Sequence, residues 1–225
     1  LELSGFLQIH CATCQEVLDS VLLAYRLAED TAVRLPVLVN MDGFYLSFTR
    51  EPVEIPAADR VRTFLPPFDP GRLRFMASTP ESQAVAVLGG GPYSYFRYET
   101  HLAACKALEV YPRIATEFEG LFGRRQSMVE TFCCEDAEFV FVMMGSFATK
   151  AEAAVESLRA AGWKIGLVRP RLLRPFPREQ LQRLLGSRRA VAVIDQNISM
   201  GAGGVLHGEV TAALYGYNGS RPIVA

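Results

Sequence analysis

Hydrophobic positions recur along this chain with two alternating periods. "FLQIH" reads as a strand, and "TCQEVLDSVLLAYRLAED" follows with Val17, Val21, Leu22, Tyr25 and Ala28 at spacings of three and four, the stripe of an amphipathic helix. Thr13 and Glu16 stand where a capping box would start that helix. "LPVLVN" is then apolar on both faces, as a central strand of a parallel sheet would be. It delivers an unusually polar loop carrying Asp42, Gly43, Ser47, Thr49, Arg50 and Glu51. Two strands do not close a stable sheet. Residues 1–64 therefore read as part of a domain, with Val37, Leu38 and Val39 short of cover and of strand neighbours.

"FLPPFDPGR" breaks the pattern, and residues 73–98, with Gly89, Gly90, Gly91 and several aromatics, read as irregular connection. Residues 65–99 are thus assigned as a linker. From Thr100 a helix is expected, kinked or interrupted before Pro112 and stopped near Gly120. Regular alternation follows. "EFVFVMMG", "KIGLVRP", "AVAVID" and "PIVA" read as strands, separated by helices in "TKAEAAVESLRAAG", "PREQLQRLLG" and "GGVLHGEVTAALYG". Thr149 or Ser146 would cap the first of these helices, Gly162 would end it, and Pro177 sits in the first turn of the second. Strands separated by helices imply right-handed crossovers and a parallel sheet covered on both faces. Residues 100–225 read as a complete small α/β domain.

Composition narrows the function classes. The 225 residues are 50% hydrophobic with net charge -1, enough to bury a substantial core. No apolar run approaches the roughly 20 residues that cross a bilayer, and no basic block suggests nucleic acid, so neither membrane nor nucleic acid is an expected partner. Five cysteines are too sparse for a disulfide scaffold, which favours reduced thiols and a cytoplasmic location. "LELSGFLQIH" has no signal-peptide pattern and enters a strand almost at once, as though earlier sequence were missing.

In α/β sheets, ligands and partner loops collect at the carboxyl ends of the strands. Residues 145–150, 169–177 and 195–204 are the polar loops so placed. The last contains Gln196, Asn197, Gly201, Gly203 and Gly204 and leads into a helix start that could cradle an anion. It lacks the G-x-G-x-x-G spacing of a dinucleotide site, and glycine for a tight turn explains it as well. Cys11 and Cys14 form a C-x-x-C at a strand-to-helix turn, a weak redox signal. The adjacent Cys133 and Cys134 would point opposite ways on a strand, poor geometry for a metal, and none is expected. His10, His101 and His207 are scattered. The residues compose no self-contained active site, and none is assigned a catalytic role.

"QEVLDSVLLAYRLAED", "LPVLVNMDGFYLSFTREPVEIP", "FLPPFDP", "GLVRPRLLRPFPREQL" and "AVAVIDQNISMGAGG", in that order, resemble the alpha chain of the pyruvate:ferredoxin oxidoreductase and 2-oxoacid oxidoreductase family. The resemblance implies an α/β fold in which residues 1–64 form the second half of a thiamine-enzyme pyrimidine-side domain. Residues 100–225 would form a domain similar to the transketolase C-terminal domain. The implied reaction is oxidative decarboxylation of a 2-oxoacid, with pyruvate the first candidate, to an acyl-CoA with electrons passed to ferredoxin. The implied cofactors of the assembled enzyme are thiamine diphosphate, Mg²⁺ and 4Fe-4S clusters, none of them held by this chain alone. Its partners would be a pyrophosphate-side (beta) subunit and ferredoxin-like and gamma subunits or domains. The resemblance places the family's activating glutamate and substrate-binding threonine and arginine in the first half of that domain, which is expected to be absent here. Where many relatives read S-H-T, this chain has Ser47, Phe48 and Thr49. The expectation is an enzyme component inactive alone, with a non-catalytic interaction module as the alternative. In the loop after "PVLVN", Asp42 is expected to cap backbone N–H groups, Gly43 to supply a left-handed turn, and Ser47 and Thr49 to bond across an interface. The alternative is a loop that folds back on its own chain.

Overall fold

The computed structural model describes residues 3–71, 76–81 and 91–217 and the backbone of 223 and 224. It contains two main sheets. In the first, β1 (Leu7–His10) and β2 (Val37–Asn40) pair in parallel around the crossover helix α1 (Cys14–Ala28). The capping box is present: Thr13 Oγ1 accepts from the Glu16 N–H at 3.1 Å, and the Glu16 carboxylate reaches back to the Ala12 N–H at 2.8 Å. A third strand, β6 (Leu172–Arg174), pairs antiparallel with β1, giving the order β2-β1-β6. This strand comes from the second region of the chain and is not expected from its sequence. β2 is left at the edge, and its Val37 and Val39 line a groove with Val21 and Tyr25, the last 58% exposed.

After the short helix α2 (Ala58–Phe64), the chain forms α3 (Gly91–Phe122), a helix of 32 residues. It begins nine positions before the expected Thr100, so residues 91–98 are helical rather than irregular; residues 73–75 and 82–90 of that expected connection lie outside the described residues. Nor does α3 break at Pro112. The missing N–H costs a helix interior roughly 3 kcal/mol. That cost is outweighed by a continuous buried stripe, Ala107, Val110, Tyr111, Ile114, Phe118 and Phe122, packed on Leu7, Ile9, Leu23, Leu27 and Phe64. The same packing places this helix in the first hydrophobic core, although its sequence groups it with the second region. Phe64, Phe118 and Phe122 meet edge to face or tilted, with centroids 4.5 to 5.7 Å apart.

The second sheet contains β3 (Val129–Phe132), β4 (Phe139–Val142), β5 (Ile165–Pro170), β7 (Ala190–Val193) and β10 (Ile223–Val224), in the order β10-β7-β4-β5-β3. Four strands are parallel, while β3 is an antiparallel edge that the sequence pattern does not predict. Helices cover both faces. On one, α5 (Arg178–Leu185) and α6 (Val205–Leu214) bury Leu181, Leu185, Leu206 and Val210. On the other, α4 (Phe147–Ala160) buries Ala148, Ala151 and Val155. A two-strand ribbon, β8 (Ile198–Ser199) with β9 (Gly203–Gly204), precedes α6.

Polar groups buried between the regions lock them together. Arg169 reaches Glu16 through both terminal nitrogens, at 3.0 and 2.6 Å, and also pairs with Glu130. Arg171, fully buried, donates to Ser20 Oγ at 3.1 Å. Asp19 accepts from Arg124 Nε and Nη2, both at 2.8 Å, and from Gln126 Nε2 at 3.0 Å. Groups this deeply buried must be paired to be tolerated.

Candidate functional site

The carboxyl ends of β1, β2, β4 and β7 converge on one cleft of ≈ 260 Å³, where His10, Asp42, Gly145, Phe147, Asp195 and Asn197 meet. Both sheets contribute, so the cleft depends on the two regions being held together, by the pairing of β6 with β1 and by the buried polar contacts between them.

Asp42, just past β2, is the main connector. Its Oδ2 accepts from the Ser146 N–H at 2.5 Å and the Ser146 hydroxyl at 2.6 Å, at the start of α4. A carboxylate there meets free N–H groups and the positive end of the helix dipole. Asp42 thus caps backbone as expected, but the helix belongs to the other region of the same chain. Ser146 occupies the N-cap position without capping through its own side chain, and Thr149 Oγ1 donates to the Ser146 carbonyl at 2.7 Å. Gly145 has φ +71°, and a Cβ there would fall 2.5 Å from Asp42 Oδ2, so only glycine suits the position.

Asp195 performs the same task for α6. Its Oδ2 accepts from the N–H groups of Leu206 at 2.6 Å and His207 at 3.4 Å, while Oδ1 accepts from Asn197 at 2.9 Å. The helix start that the glycine loop could have offered to an anion is therefore filled by the chain's own carboxylate. Gly201 and Gly203, at φ +81° and +90°, instead turn the β8–β9 ribbon, and Gly204 leaves room for Asp195. Gln196 and Asn197 are exposed at the cleft. His10 shares the cleft with the two carboxylates, and its Nε2 is buried with no hydrogen-bond partner among the described residues. Burial lowers its pKa, opposed by the charges of Asp42 and then Asp195, which favours neutral imidazole.

The rest of the Asp42 loop corrects one expectation. The left-handed residue is Phe44 (φ +68°), with no such turn at Gly43. A bulky side chain in that region is a strained outlier. Ser47 and Thr49 bond within the loop, Ser47 Oγ accepting from the Phe44 N–H at 2.9 Å and Thr49 donating to the Tyr45 carbonyl. Tyr45 sets its edge on Phe147 at 4.8 Å, with Lys150 Nζ 4.3 Å above its ring. At its base the loop is therefore held against its own chain. Phe44 and Phe48 stack outward, 5.3 Å apart and within 6° of parallel, yet stay 67% and 75% exposed. In the sequence this exposed pair is masked by the polar residues around it.

The cysteines carry little chemistry. Burial raises the pKa of Cys11, whose Sγ lies 3.4 Å from Ser20 Oγ, and desolvation and Glu51 raise that of Cys14. Neither is an activated thiolate. Burial likewise raises Cys134. Among the described residues no three His, Cys, Asp or Glu side chains are grouped to hold a metal, and no helix is long and apolar enough to cross a membrane.

Comparison with known proteins adds the family. Residues 2–116 match the model for pyruvate flavodoxin/ferredoxin oxidoreductase, thiamine diphosphate-binding, and residues 137–224 that for pyruvate:ferredoxin oxidoreductase core domain II. The chain is 39% identical over 212 residues to pyruvate synthase subunit PorA of Methanothermobacter thermautotrophicus, covering 94% of this chain and 55% of that one. It is 40% identical over 223 residues to ketoisovalerate oxidoreductase subunit VorA of Pyrococcus abyssi, with coverage of 98% and 55%. It thus spans about half the length of these relatives. The solved 2-oxoglutarate:ferredoxin oxidoreductase from Magnetococcus marinus shares the fold, with TM-score 0.55 and 15% identity over 97% of this chain and 38% of that one. The chain belongs to the pyruvate flavodoxin/ferredoxin oxidoreductase family.

Proposed function

We propose that this chain is an alpha-chain component of a thiamine diphosphate-dependent 2-oxoacid:ferredoxin oxidoreductase and supplies scaffold and docking surface to a site completed by other subunits. The reaction would convert a 2-oxoacid and CoA to acyl-CoA and CO₂, passing electrons to ferredoxin. The names of the relatives favour pyruvate or a branched analogue as substrate. Residues up to the end of α3 would belong to the pyrimidine-side domain, and those from β3 onward, apart from β6, to the transketolase C-terminal-like domain. The location would be cytoplasmic.

The observation that carries this reading is the state of the helix starts at the cleft. A diphosphate brought to α4 or α6 would meet the carboxylates of Asp42 and Asp195 instead of free N–H groups. These residues do not fit the diphosphate of the cofactor, and no step of the chemistry is assigned to them. Diphosphate, Mg²⁺ and iron-sulfur clusters would be held by the pyrophosphate-side (beta) and ferredoxin-like or gamma partners. What the chain offers outward is the Phe44–Phe48 pair, braced by Asp42 and Tyr45. Aromatic side chains, Phe included, are enriched at protein interfaces. Gln196, Asn197, Gly201 and Gly203 would line the rim of the same surface.

Light scattering of this chain mixed with a separately produced pyrophosphate-side subunit tests the proposal. A complex should form, and Phe48→Ser, at a site too exposed to affect folding much, should weaken it about tenfold or more, as loss of an anchor costs at least 1 to 2 kcal/mol. Failure of the two proteins to associate, or unchanged affinity in the variant, would contradict it.

A further inference from the structure

We propose that a second cleft, lined in part by Arg174 at the end of β6, binds a small amphipathic carboxylate. It lies between the segment leading into β1, the middle of α3 and the loop after β6, with a volume of ≈ 460 Å³. That is within the range of small-molecule sites. Phe6, Leu7, Ala104, Leu108 and Phe176 give it a largely apolar wall.

Its charges are unequally matched. Arg174 is held by Glu209 at 2.8 Å and so brings no net charge. Arg97, also on the wall, has no hydrogen bond or ion pair among the described residues. One guanidinium over an apolar trough matches one carboxylate on a hydrocarbon body: the planar fork takes both carboxylate oxygens, and the alkyl part covers the wall. A small inorganic anion could use only the first feature and a neutral alcohol only the second.

The cleft also carries its own reporter. Cys105 lines it and is exposed, with Sγ 3.7 Å from His101 Nε2. An occupant would shield this thiol, whereas Cys11 and Cys134 are buried elsewhere. Binding here is independent of the reaction that the assembled enzyme performs.

The experiment measures the rate of Cys105 alkylation by iodoacetamide in the full chain, read by peptide mass mapping, against octanoate, octanol and inorganic phosphate. Octanoate should slow labelling saturably and at least fivefold, while octanol and phosphate at equal concentration leave the rate within twofold. Arg97→Met should weaken octanoate protection about tenfold, and Arg97→Lys should fall between, keeping the charge but losing the fork. Circular dichroism confirms that each variant is folded; Arg97 is exposed, so both should be. Equal protection by octanol, protection undiminished in Arg97→Met, or no protection by octanoate would overturn the proposal.

Discussion

The two sheets are completed in different ways. In the second, four parallel strands and the antiparallel β3 have helices on both faces, and β5 is buried along its whole length. The first has three strands, one of them borrowed from the second region, and β2 remains an open edge with every residue only partly buried. The closed unit follows from alternation within its own segment. The open unit depends on residues more than a hundred positions away, through β6, Arg169 and Arg171. Stability in this chain should therefore be asymmetric.

Dividing the chain has the largest expected effect. Residues 126–225 produced alone should show cooperative denaturant unfolding. Residues 1–122 alone should not, because Leu172 of β6 is fully buried in their core. Cooperative folding of 1–122 would show that the first region needs no borrowed strand.

A point substitution sharpens the same contrast. Asp19→Ala leaves the buried Gln126 without its carboxylate and Arg124 with only that of the exposed Glu54. It should cost the full chain about 3 to 5 kcal/mol, as expected for breaking a buried charge pair. Urea titration would register this as a lower midpoint, and a loss below about 1 kcal/mol would mean that the joint contributes little.

The smallest effect is in pH dependence and also belongs to the joint. Burial works against the Glu16 charge, but Arg171 and Arg169 outweigh it and hold the carboxyl below its usual range. The stability it contributes should be present above its ordinary pKa of about 4.3 and be lost as pH falls through the lowered value. His10 acts in a higher window. The unfolded chain takes up a proton near pH 6.5 that buried folded His10 resists, so stability should already decline as pH drops below that point. His10→Gln should flatten the pH 7 to 5 part of the urea-midpoint profile and leave the acid limb intact. An unchanged profile would remove His10 from the account.

Elements with local signals are legible in the sequence itself. Thr13 and Glu16 announce α1, and the strands and helices from residue 139 onward, apart from β6 and the β8–β9 ribbon, occur in the order that the alternation predicts. What the sequence hides depends on distant partners. The α4 cap comes from Asp42, 104 residues away, and no local pattern marks it. β6 has three residues and follows β5 after a single position, so only its pairing with β1 reveals it. Pro112 reads as a break until the stripe from Ala107 to Phe122 is seen to be buried. Asp42 stands out because a carboxylate directly after an apolar strand is conspicuous. Phe44 and Phe48 do not, because large aromatics are ordinarily read as core.

Calorimetric titration with thiamine diphosphate and Mg²⁺, of the chain alone and then with the pyrophosphate-side subunit, tests the central claim most directly. With both helix starts at the cleft capped by the chain's own carboxylates, the chain alone should show no binding at micromolar cofactor, and binding should appear in the mixture. Micromolar binding by the chain alone would contradict the reading of this protein as one side of a shared site.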